Sequence, residues 1–72
     1  LIYPNPTSEI LHLKTNSHIE NLEIYSMLGQ KIISQTNNSV TAEVDVSILQ
    51  TGSYIIKVST ENKTEVQKFV KQ

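Results

Sequence analysis

Apolar and polar residues alternate over short stretches of this chain, and clusters of Asn, Ser, Thr and Gly part the stretches about every eight to twelve residues, the signature of an all-β domain. In "EILHLK" the alternation places Leu11 and Leu13 on one face and His12 and Lys14 on the other. In "IENLEIY" Leu22 and Ile24 turn inward, with Glu23 and Tyr25 outside. "QKIISQ" offers Ile32 to the core, and "VTAEVDV" offers Val44 and Val46 while Glu43 and Asp45 face water. "SYIIKVST" aligns Tyr54, Ile56 and Val58 on one face, but Ile55 on the other is apolar too, so this strand is expected at the centre of its sheet. The last run, "TEVQKFVKQ", sets Val66, Lys68 and Val70 on one face and Phe69 on the other, so its inward face stays open.

Turn chemistry supplies the connections. "YSMLGQ" predicts a hairpin whose Gly29 takes a left-handed conformation, where a side chain would cost about 1 kcal/mol or more. In "VSILQTGSY", Ser47 is expected to cap a single helical turn, Leu49 to enter the core and Gly52 to end the turn with positive φ. "TENKTE" predicts a tight hairpin with Asn62 left-handed, and "QTNNSVT" a mobile surface connection. Six or seven short, mostly antiparallel strands without a helix bury one face each only if two layers pack together. The expected architecture is therefore a small two-sheet β-sandwich, immunoglobulin-like, over residues 1–72 as a single domain.

The first eight residues differ from the rest. Pro4 and Pro6, the only prolines, flank Asn5. Each fixes its own φ and biases the residue before it away from helix, so positions 3–6 are expected to run as a stiff, extended entry segment. The chain opens in mid-pattern without an initiator Met, which suggests a piece of a longer protein.

Composition narrows the function by exclusion. Seventy-two residues bury only ~60% of their unfolded surface, and a net stability of about 4–11 kcal/mol is expected at this length. All six cations are lysines. Without arginine, a basic patch or a pI above 6.1, nucleic-acid recognition is not expected. No apolar run approaches the ~20 residues of a membrane helix, and the absence of cysteine leaves the compartment open. His12 and His18 have no second ligand at metal-binding spacing. The eight serines fall mostly at turns and strand ends, and Glu20, Glu23, Glu43 and Asp45 read as a solvated strand face. No enzyme, metal or cofactor is expected. Tyr3, Tyr25 and Tyr54 could form a sugar-stacking platform, but Tyr54 reads as core with its hydroxyl satisfied.

The order "IYPNPTSEILHL", "IENLEIYSMLGQKI", "VDVSILQTGSYIIKVST" and "KFVKQ" resembles the type A C-terminal sorting domain of type IX secretion cargo from Bacteroidetes-type bacteria. The landmarks carrying the resemblance are Tyr3, Pro4, Asn5, Pro6, Leu28, Gly29, Ser47, Leu49, Gly52, Tyr54, Lys68 and Lys71. It implies a non-catalytic secretion signal linked to an N-terminal cargo domain, passing through the periplasm to the cell surface or medium. The implied partners are an outer-membrane translocon and a sortase-like peptidase that cleaves upstream of Leu1, with no small-molecule substrate. In this light the prolines would hold a stiff, unpaired stretch beside the junction, and Lys68 and Lys71 would present charge from an edge strand. The alternative is a permanent accessory β-sandwich, a carbohydrate-binding or spacer module of a secreted enzyme.

Overall fold

A computed structural model describes the backbone of residues 2–3 and the whole of residues 9–72. It is all-β, with five antiparallel strands in one hydrogen-bonded sheet: β1 (Ile2–Tyr3), β2 (Ile10–Ser26), β3 (Lys31–Asp45), β4 (Gly52–Thr60) and β5 (Thr64–Lys71). β2 pairs with β3 along one side; along the other it meets β1 at its start and β4 over its second half, and β5 closes the edge beyond β4. The central position expected for "SYIIKVST" is met by β4.

The separate two-sheet sandwich of six or seven strands is not what forms. "EILHLK" and "IENLEIY" are the two halves of one 17-residue strand, and "QKIISQ" and "VTAEVDV" those of one 15-residue strand. Their polar middles were expected to be turns because polar clusters usually punctuate strands. Here they are bulges. Lys14 lies opposite Thr41 and Ile19 opposite Ser39, so four residues of β2 face Val40 alone; a second shift of register sets Asn37 and Asn38 opposite Glu20. The run "QTNNSVT" is thus strand, not a loose connection. The Asn37 amide fastens it by donating to the carbonyls of Ser39 (3.2 Å) and Thr41 (3.0 Å).

Length requires a bend at these bulges. A straight 17-residue strand would span about 56 Å, whereas the longest dimension of the molecule is 31 Å. The β2–β3 ribbon folds back on itself, as bulged strands do, and one core fills the space between its halves. Leu11, Leu13, Ala42 and Val44 come from the first half of β2 and its partner stretch of β3; Leu22, Ile24, Ile56, Val58 and Phe69 from the remainder. A two-layer burial is thereby achieved with one sheet.

Most inward positions follow the alternation, with one exception in β3. Ile33, opposite Ile24, packs on the core, and Ile32 is 41% exposed. The slip in register between Ile24 and Tyr25 reverses the parity expected for Ile32. In β5 the inward face is Glu65, Gln67, Phe69 and Lys71, opposite Val58, Ile56, Tyr54 and Gly52.

The hairpins keep the expected places with different details. Gly29 has φ +90°, and the turn closes through Gly29 N–H to Ser26 O (2.9 Å) and Ser26 N–H to Gln30 O (2.9 Å). Asn62 is not left-handed; no non-glycine among the described residues has positive φ. Thr60 organises that turn instead, its hydroxyl accepting from the backbone of Asn62 and Lys63 and donating to Lys63 O. A two-residue turn held by a side-chain hydroxyl needs no left-handed residue.

Candidate recognition surface

The end of the molecule carrying the β2–β3 hairpin tip gathers most of the sequence landmarks. Ser26 is opposite Tyr54, Tyr54 opposite Phe69, and Gly52 opposite Lys71. Leu28 and Gly29 at the tip, Ser47, Leu49, Gly52 and Tyr54 around the 46–51 connection, and Lys71 at the close of β5 therefore share this end.

The 46–51 connection is built from its own polar groups. The carboxylate of Asp45, not the hydroxyl of Ser47, caps the turn, accepting the Ser47 N–H at 2.9 Å. Asp gains here because an ionised acceptor binds a backbone N–H more strongly than a hydroxyl does. The bonds from Ser47 hold the Asp45 carboxyl below its ordinary range. Leu49 N–H donates to Val46 O (3.0 Å), and the Leu49 side chain is buried as expected. Gly52 follows with φ +155°. Tyr54 packs on the core with its ring stacked on Phe69 at 5.8 Å, and its hydroxyl donates to Gln50 O at 2.6 Å.

Lys71 corrects the expected charged edge. It is buried, and its ammonium donates to Leu49 O at 3.0 Å, so it ties β5 to the 46–51 connection and presents no charge. Lys68 is exposed on the outer face of β5, opposite Ile55, which in turn lies beside Tyr25. β5 is an edge strand, as expected for the last run.

The structure adds what alternation concealed: exposed apolar side chains in the two turn segments at this end. Leu28 is 97% exposed, Ile48 78% and Met27 55%. None of them serves the core. A signal existed in the sequence, since these three apolar residues fall inside the turn segments, where folding needs no hydrophobe.

Two landmark groups fall elsewhere. The backbone of Tyr3 pairs with His12 and that of Ile2 with Leu13, so these two residues join the sheet. Pro4, Asn5 and Pro6 lie outside the described residues. His12 meets a carboxylate after all, Nδ1 lying 3.3 Å from Glu43 Oε2 directly across the strands. A lone cross-strand pair is no metal centre, and no group of three metal-binding side chains occurs among the described residues.

The outer face carries one small electrostatic network. Glu23 accepts from Lys31 Nζ at 3.0 Å and from the Tyr25 hydroxyl at 2.9 Å. The ammonium of Lys31, and then the Tyr25 hydroxyl, hold the Glu23 carboxyl below its usual range; the same bonds raise Lys31 and Tyr25. A lowered folded-state value contributes stability that is complete above the ordinary carboxylate range and is lost as the pH falls through the folded value. For the raised Lys31 and Tyr25 the loss comes at the alkaline end, as the pH rises through theirs. Glu23→Gln should therefore flatten the acid side of a plot of urea midpoint against pH, leaving the slope due to Asp45 and Glu65, which are also lowered. Superimposable acid limbs for the two proteins would contradict this.

No curated protein matches the chain. A family model described as the secretion system C-terminal sorting domain matches residues 1–72, the whole of it. The chain belongs to this family of C-terminal sorting domains and serves as a sorting signal for type IX secretion.

Proposed function

We propose that the domain is a non-catalytic address label read in its folded form, and that the reading face is the end bearing Leu28 and Ile48. The parent protein crosses the periplasm with this domain behind it. An outer-membrane translocon component grips the domain, and a sortase-like peptidase cuts upstream of residue 1 so that the cargo reaches the cell surface or medium. Lys68, on the exposed face of the β5 edge strand, supplies a charged contact at the side. Tyr3, Pro4, Asn5 and Pro6 belong to the junction and act in its presentation to the peptidase.

The observation that carries this reading is the exposure of Leu28. A landmark of the sorting family that is 97% exposed has no packing duty, and an apolar side chain held in water on a rigid hairpin tip is suited to a partner's pocket. Met27, beside it in the same turn, and Ile48, in the 46–51 connection, are exposed as well. The rigidity of the tip comes from Ser26, whose hydroxyl accepts from the N–H groups of Leu28 and Gln30, both at 3.2 Å.

The test joins the chain to an inert periplasmic reporter in a bacterium competent for type IX secretion. The intact fusion should appear outside the cell. Leu28→Asp should leave the thermal transition unchanged and hold the reporter in the periplasm. Normal export of that variant would remove the tip from the reading face, and periplasmic retention of the intact fusion would remove the sorting role.

A further inference from the structure

We propose that the open edge of β5 is the seat of an added strand: an extended segment of the recognising protein, with a carboxylate opposite Lys68 and an apolar residue opposite Val66. The inference deepens the sorting reading and rests on it for the source of that segment.

The backbone of β5 is set for such an addition. Thr60 N–H donates to Lys63 O at 2.8 Å at the turn, and from there β4 and β5 pair without a slip, from Ser59 opposite Thr64 to Gly52 opposite Lys71. Along an antiparallel ladder, hydrogen-bonded pairs alternate with pairs that are not. The bonds to β4 therefore fall on Glu65, Gln67 and Phe69, opposite Val58, Ile56 and Tyr54. At Val66 and Lys68 the N–H and C=O groups point the other way, to the side where no described strand follows β5. An incoming strand finds the donors and acceptors of both residues in line.

Charge names the occupant. Val66 and Lys68 turn their side chains to the outer face of the sheet. Val66 is 65% exposed, and Lys68 is exposed and has no ion pair among the described residues. Beside them on β4 stand Lys57, opposite Val66, and Ile55, opposite Lys68. Glu23, which faces Lys57 from β2, is taken by Lys31 at 3.0 Å. This part of the face thus sets three ammoniums against one carboxylate, with Ile55 and Val66 among them. A second copy added at this edge would lay its own lysines beside these, and like charges across strands are destabilising. A segment carrying Asp or Glu, with an apolar residue two positions away, completes both rows. Lysine on an edge strand also deters indiscriminate pairing, so the same side chain that admits an acidic strand turns others away.

The test is a titration of the 72-residue chain at low salt, followed through its backbone amide signals. The probe is a blocked seven-residue peptide with glutamate at its centre and valine two positions to either side; its counterpart has lysine at the centre. The glutamate peptide should move the amide signals of Val66 and Lys68 and bind about fivefold more tightly than the lysine peptide, an advantage that shrinks as salt is raised. Lys68→Glu should reverse the order of the two peptides. Val66→Pro removes an outward N–H and no bond to β4, so it should keep the thermal transition and bind neither. Signals of β5 that stay in place with both peptides, equal affinity for the two, or an order unchanged in Lys68→Glu would overturn strand addition. If Val66→Pro unfolds, Lys68→Glu decides alone. Export of the reporter fusion is scored separately. An intact fusion that stays in the periplasm refutes the sorting role and leaves the titration standing, and an exported fusion whose chain fails the titration refutes strand addition alone.

Discussion

Phe69→Ala should abolish, or nearly abolish, the folded state. Phe69 is fully buried, the largest such side chain in the core, and its ring lies on Tyr54 at 5.8 Å. Truncating a buried phenylalanine costs about 3–5 kcal/mol, against a total of about 4–11 kcal/mol for a domain of this length. The position magnifies the effect. β5 is an edge strand whose only ladder among the described strands is with β4, and of its inward residues only Phe69 and Lys71 are buried. In urea titrations followed by circular dichroism, the variant should show a midpoint near zero denaturant or no transition. Val66→Ala, on the outer face of the same strand and 65% exposed, should stay within about 0.5 kcal/mol of the wild type. If the two variants unfold at the same denaturant concentration, β5 is not anchored through Phe69. A sorting signal read as a folded shape makes a further demand: a fusion carrying Phe69→Ala should remain in the periplasm.

Legibility of the fold in the sequence follows the range of the interactions that decide each feature. The inward faces at Leu11, Leu13, Leu22, Ile24, Val44, Val46, Ile56 and Val58 were readable because alternation is local and each is buried against one core. Gly29, Gly52 and the placement of Leu49 were readable because turn geometry needs few neighbours. The strand count was not. Whether a polar run such as "KTNSH" ends a strand or bulges within it depends on the partner across the ladder, and Ser39 and Thr41 of β3 are distant in sequence. Ile32 was misplaced for a related reason, since a one-residue slip beside Tyr25 reverses every side chain after it. Phe69 could not be assigned from its own run, because Glu65 and Gln67 share its face.

The same division applies to the residues that carry the sequence resemblance. Five of the twelve fold the domain's end: Gly29 and Gly52 take positive φ at its turns, Leu49 and Tyr54 fill the core, and Lys71 ties the last strand. Leu28 and Lys68 have no such duty, and their exposure is a property of the assembled hairpin and edge. The order of residues along the chain does not separate the two groups, because burial is decided by contacts between distant strands. Burial separates them, and it directs the search for a receptor contact to the few landmarks that face water.

Lys71 offers the decisive comparison between folding and recognition, through two substitutions of opposite character. Its stem is buried and its ammonium donates to Leu49 O. Lys71→Met keeps the stem, loses one charge-assisted bond and removes the cost of burying an ammonium, so the net change should be about 1 kcal/mol or less. Lys71→Glu aims a carboxylate at a carbonyl with no donor between them, and an uncompensated charge in such a place costs about 3–5 kcal/mol. Denaturation midpoints should thus separate the pair widely, with Met near the wild type. Export is expected to follow the same order, because the lysine acts by holding β5 against the 46–51 connection. A Lys71→Met fusion that keeps its midpoint but is retained in the periplasm would show that the charge itself is read by the partner, and the assignment of Lys71 to folding would then be wrong.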